Sequence, residues 1–284
     1  MAYVLLSLLA LAVAQDTVEL NGWHLPMSPR SPFSYAQGGA EWEGCTSRMQ
    51  QQSPVNLNQT DSLYAEVNED NSAFVPLQFR NDYIGDNFVR MDVSGTIEYM
   101  VFAGESIWNT QKGDSTIQIL VEFHMLAPAE HLFNGRQYPL ELHLYYALPR
   151  PGGMLQLVNV IGIFFEEGEE ESPVIEQMIQ GGDFDLRSLF PTSGVLSDYF
   201  YYTGTEDRPV PICVPYIGWV FPNYVLSASR DQIDYYNSLY MNNVTFAGGR
   251  GNTRLVQPLH EEVYHFSYNA QESQLPNRVQ ALLS

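Results

Sequence analysis

Apolar and polar residues alternate with a period of two along much of this chain. The clearest run is Ser115 to Leu126. Ile117, Ile119, Val121, Phe123 and Met125 fall on one face of a strand, with Glu122, His124 and Leu126 on the other, because successive side chains point to opposite sides. Leu140 to Tyr146 repeats the pattern, opposing Leu140, Leu142 and Leu144 to Glu141, His143 and Tyr145. Val158 to Phe165 is a third apolar run, and Gly, Pro, Asn and Asp separate many shorter ones. Helical spacing is confined to Ser172–Gln180 and Ser229–Leu239. No internal repeat or long linker interrupts the chain. The pattern predicts a mostly β (α+β) fold with a few short helices.

Composition narrows the function classes. Of the 284 residues, 45% are apolar and 16% charged, which is the balance of a folded domain and not of a disordered chain. The chain has 33 acidic residues against 13 basic ones, for a formal charge of −20, and Lys112 is its single lysine. Nucleic-acid binding and docking on anionic lipid both need a basic face, so neither is expected. Eight acids and no base lie between Arg150 and Arg187, five of them in Glu166-Glu167-Gly168-Glu169-Glu170-Glu171. This stretch reads as a solvated turn after a buried strand. Consecutive carboxylates do not chelate without a loop that wraps them around an ion, so the acidic surface suggests at most weak binding of Ca²⁺ or another cation.

Residues 1–14, MAYVLLSLLALAVA, carry no charged side chain and end in Ala12-Val13-Ala14, the small-x-small pattern of a secretory signal peptide. The run is too short to span a bilayer, and no other is long enough. The expected mature chain starts near Gln15 and is secreted. Its two cysteines, Cys45 and Cys213, suggest a disulfide in that compartment. Such a bond would close a loop of roughly 170 residues and contribute about 4–5 kcal/mol; two buried thiols are the alternative. Asn58-Gln59-Thr60 and Asn243-Val244-Thr245 are glycosylation sequons.

His124 and His143 each stand near a glutamate among apolar neighbours, and alone would read as core histidines. Their surroundings say more. Glu122-Phe123-His124-Met125-Leu126-Ala127-Pro128-Ala129-Glu130-His131 resembles the α-carbonic anhydrase segment Q-F-H-F-H-T-P-S-E-H, and Glu141-Leu142-His143-Leu144 resembles that family's E-L-H-L strand. Gln51-Gln52-Ser53-Pro54-Val55-Asn56-Leu57 is similar to Q-Q-S-P-I-N-I, and Gly162-Ile163-Phe164-Phe165 to V-G-I-F-L. Asp198-Tyr199-Phe200-Tyr201-Tyr202-Thr203-Gly204 and Arg254-Leu255-Val256-Gln257-Pro258-Leu259 match two further family blocks. All appear in family order from about Phe33 to Leu259. The resemblance implies one domain, residues 33–270, around a large, twisted, mostly antiparallel sheet. Residues 15–32 form an N-terminal segment before it, and residues 271–284 a C-terminal tail. It also places Cys45 and Cys213 where secreted members have their disulfide.

The family's zinc is held by three histidines and lowers the pKa of its bound water to about 7, supplying hydroxide for CO₂ hydration. The resemblance puts His124 at the first ligand position and His143 at the third. The second is Leu126, which has no lone pair. Glu122 and Glu141 match the acceptors behind the ligands. Glu130 matches the glutamate that orients zinc-bound hydroxide through a threonine, and Asp207 stands at that threonine's place, so the two are a remnant pair. Tyr145 and Val160 match walls of the CO₂ pocket, where the tyrosine ring is oversized, and Asp86 replaces the proton-shuttling histidine. These departures imply a secreted carbonic-anhydrase-like protein without zinc hydratase activity and without a cofactor, kept for binding an extracellular partner or matrix. The alternative is an active Zn²⁺ enzyme with a third ligand rebuilt from Glu206-Asp207.

Overall fold

The computed structural model describes residues 17–20, 23–26, 34–42, 45, 51–65, 77–80, 83–85, 88–93, 96–101, 105–109, 115–151, 154–191, 194–206, 213 and 215–267. The expected signal peptide, the C-terminal tail, most of the N-terminal segment, Asp86 and Asp207 lie outside them.

Among the described residues, thirteen strands join in one sheet. Six form its centre: β1 (Thr96–Val101), β2 (Ser115–Leu126), β3 (Leu140–Arg150), β4 (Met154–Glu167), β5 (Asp198–Thr205) and β6 (Pro215–Pro222). β1 and the Glu105–Asn109 strand pair with successive parts of one edge of β2; across the sheet follow β3, β4, β6 and β5. The β2–β3, β3–β4 and β5–β6 pairings are antiparallel, and β4–β6 is parallel. The mostly β architecture around a mostly antiparallel sheet is therefore as expected, with parallel pairings mixed in.

Alternation along the strands sorts the core onto two faces. Phe123, Met125, Leu140, Leu142, Leu144, Ile161 and Ile163 enter one cluster, covered by α1 (Pro173–Gln180) and α2 (Arg230–Tyr240). Val121, Tyr145, Val160, Trp219 and Phe221 enter a cluster on the opposite face. One expectation fails here. Val121 does not share a face with Phe123 and Met125, because the β2–β3 register shifts between Leu120 and Glu122. A bulge of this kind inserts one extra residue and reverses the alternation beyond it, so Leu120, and not Val121, packs with Phe123.

Both helices start at serines. The Ser172 side chain accepts from Ile175 N–H, with Pro173 opening α1. Ser229 and Gln232 form a reciprocal capping box at α2. Gln232 also accepts from Ser172 N–H at 2.9 Å and donates to Ser172 O at 3.0 Å, which ties the two helix starts together. The Cys45–Cys213 disulfide is formed, with Cα atoms 5.2 Å apart, and packs with Tyr35, Trp42 and Phe246. Glu167 and the Gly168–Glu171 stretch are exposed, as a solvated turn requires. Glu166 and Glu167 pair there with Arg136 and Arg230. Among the described residues, no helix is long and apolar enough to cross a membrane.

Candidate functional site

The antiparallel β2–β3 register sets His124 directly opposite His143 and Leu126 opposite Glu141. Directly opposed residues share a face of the sheet, so the two imidazoles meet, with ring centroids 5.4 Å apart and planes at 63°. The next pairings set Tyr145 beside Val160 on β4, and Val160 beside Trp219 on β6. Leu126, Tyr145, Val160 and both histidines are all buried. The period-two pattern puts Glu141, His143 and Tyr145 on one side of β3.

Each histidine is oriented by a glutamate two residues before it on its own strand. His124 Nδ1 lies 3.1 Å from Glu122 Oε1. His143 Nε2 lies 2.6 Å from Glu141 Oε1. Glu141 has further partners: His131 Nδ1 at 2.7 Å from the same oxygen, and the backbone N–H groups of Glu130 and His131, both donating to Oε2 at 2.9 Å. Burial pushes the Glu141 carboxyl up, but the two imidazoles outweigh that and hold it well below the usual carboxylate range. A buried charge of this kind is tolerable because each lone-pair region has a donor.

The network continues past the glutamate. His131 Nε2 is 2.7 Å from the Tyr202 hydroxyl, which donates to Ser53 Oγ at 2.8 Å. Ser53 Oγ also accepts from Thr205 N–H, and Ser53 N–H donates to the Thr205 hydroxyl. Trp219 and Phe221 pack their rings on His131, with centroids 4.8 and 4.6 Å away. The Glu130 carboxylate accepts from Arg254 N–H at 2.8 Å, and the Arg254 guanidinium donates to Ser53 O and to Gln52 Oε1. Ser53, Tyr202 and Arg254 lie in blocks that carry the family resemblance, yet the sequence assigns them no role. Glu98 was also missed: it is buried on β1 and stands opposite His124 in register. Nothing in its local sequence marks it, since its place follows from a strand pairing.

Tyr145 does more than fill a wall. Its ring lies against His124, with centroids 5.4 Å apart and planes at 27°, and its hydroxyl is 3.4 Å from His143 Nδ1.

Comparison with known proteins agrees with this geometry. Residues 37–267 match the model of the eukaryotic-type carbonic anhydrase. The chain belongs to that family. Alpha carbonic anhydrase 3 of Arabidopsis thaliana is 23% identical over 275 residues, 92% of this chain and 90% of the relative. A carbonic anhydrase of Pectobacterium atrosepticum is 27% identical over 223 residues, 75% of this chain and 78% of that one. Among solved structures, the α-carbonic anhydrase of Thermovibrio ammonificans with the inhibitor sulfanilamide superposes with a TM-score of 0.56 and 25% identity, covering 75% of this chain and 86% of the other. Dioscorin complexed with ascorbate gives a TM-score of 0.62 at 20% identity, covering 84% and 100%, a likeness of fold.

Carbonic anhydrases normally hold zinc, and among the described residues no third His, Cys, Asp or Glu donor joins His124 and His143. A catalytic zinc site uses three protein donors. At the position that the resemblance assigns to the second ligand stands Leu126, a buried side chain with no donor atom. Among the described residues, the one group of three His, Cys, Asp or Glu side chains with donor atoms within 4.8 Å of one another is His131, Glu141 and His143. In that group Glu141 already accepts from both rings. Glu206 is described and buried, and it does not join His124 and His143 in any such group.

Proposed function

We propose that this protein is a secreted member of the carbonic anhydrase family that does not hydrate CO₂ through zinc and acts in extracellular binding or as a structural or matrix component. Leu126 carries the reading. At the second of three ligand positions it offers no donor, and two imidazoles fall short of the set a catalytic zinc needs. The retained Glu122 and Glu141 contacts then serve to hold two buried histidines in place.

Secretion is supported by the apolar leader ending at Ala14, by the Cys45–Cys213 disulfide and by the sequon sites. Asn243 is exposed at the start of a short helix. At the other sequon, the Thr60 hydroxyl donates to Asn58 Oδ1 at 2.9 Å. The charge of −20 favours solubility and a weak atmosphere of Ca²⁺ or other cations over the surface.

The test is stopped-flow CO₂ hydration by the purified chain at saturating zinc, with and without sulfanilamide. The expected rate is that of buffer. A zinc-dependent rate abolished by sulfanilamide would overturn the proposal and favour a third ligand rebuilt from the Glu206-Asp207 segment. For secretion, a mature N-terminus near Gln15 and a mobility shift on removal of N-glycans are expected from a eukaryotic host.

A further inference from the structure

We infer that Tyr145 is a second barrier to the metal, independent of Leu126, which acts by closing the coordination direction of His143. This rests on the reading of Leu126 given above and extends it to a residue that matches a wall of the substrate pocket.

His143 has two ring nitrogens and one lone pair to offer when neutral. Its Nε2 faces Glu141 Oε1 at 2.6 Å. A carboxylate can only accept, so Nε2 carries the proton and Nδ1 carries the lone pair. That lone pair is what a cation would need, and the Tyr145 hydroxyl lies 3.4 Å from it. A zinc ion would sit about 2.0–2.1 Å from Nδ1, in space bounded by the phenol oxygen.

The rest of the ring covers the other histidine, stacked on His124 at 5.4 Å. The phenol thus spans both surviving ligand positions. It has no exposed surface, and Val160, its partner in register on β4, is also fully buried. Admitting an ion would require the ring to leave a close-packed cluster, and interiors at crystal-like density resist such shifts.

A phenol oxygen at this distance also matches the spacing of two donors on one tetrahedral ion, so the experiment must separate a blocker from a ligand. The measurement is zinc affinity by competition with a chelator, with Co²⁺ substitution as a second readout, since four-coordinate Co²⁺ gives intense visible bands. The proteins are wild type, Leu126→His, Leu126→His with Tyr145→Val, and Leu126→His with Tyr145→Phe. Phenylalanine keeps the ring and so guards against loss of fold from the smaller valine.

Zinc binding at least about tenfold tighter in either double variant than in Leu126→His is expected, within a range of about 10- to 100-fold. The Co²⁺ bands should be strongest in the tighter double variant. A gain below tenfold in both double variants would overturn the inference and leave the Leu126 reading intact. One tightly bound zinc in wild type, lost in a fifth protein that carries Tyr145→Phe alone, would make the phenol a ligand and overturn both.

Discussion

Glu141 holds His143 by its Nε2, at 2.6 Å. In an ordinary buried ion pair the partner's charge offsets the cost of burying a carboxylate. Here Glu141 is fully buried and its charge is spread over two imidazoles and two backbone N–H groups. All four of these donors come from the chain itself.

Removing that charge should therefore destabilise the fold. Glu141→Gln keeps the volume but puts donors where His131, His143 and two backbone amides need acceptors. The expected loss is about 3–5 kcal/mol in urea unfolding. Acid should act in the same direction. The folded carboxyl titrates below the usual range, so its stabilisation is complete above the unfolded carboxylate pKa of about 4.3 and is lost as pH falls towards the folded value. Wild type should lose stability below about pH 4 more steeply than Glu141→Gln, as measured by midpoints in a pH series.

The tyrosines set the alkaline limit. Burial pushes Tyr99 up to about 12, partly offset by Arg90. Burial likewise raises Tyr199, Tyr224, Tyr236 and Tyr240. A folded pKa above the unfolded one means that the stabilisation is complete below about pH 10 and is lost as pH rises through the folded values. Phenolate absorbance should show these rings protonated past pH 11, then ionising together with loss of the near-ultraviolet circular dichroism. A smooth titration of all tyrosines near pH 10 in the folded state would contradict their burial.

Gly162 supports the histidines from β4, where it pairs with His143. A Cβ there would come 2.2 Å from the Phe221 ring, the ring that packs on His131 at 4.6 Å. Gly162→Ala should overpack this layer and cost about 1–3 kcal/mol, read as a lower thermal midpoint with secondary structure unchanged.

Much of the fold is legible in the sequence because alternation states each strand's faces directly. Leu140, Leu142 and Leu144 oppose Glu141, His143 and Tyr145 as their spacing says. The Leu120–Glu122 bulge is not legible, since no Gly or Pro marks it and its origin lies in the pairing with β3. That Leu126 stands where the resemblance puts a ligand is read from the sequence alone, since the motif fixes the place and leucine has no donor atom. The second contact of Tyr145 is not. Its reach to His143 Nδ1 depends on which ring nitrogen Glu141 occupies, a tertiary detail. Glu98 is hidden for the same reason, being brought opposite His124 only when β1 pairs with β2.

With Leu126 at the second ligand position the chain is expected to hold no zinc, and metal stoichiometry decides this. The purified full chain, equilibrated with excess zinc and dialysed against metal-free buffer, should retain well under one zinc per chain by elemental analysis. One zinc per chain, held through dialysis, would contradict the account.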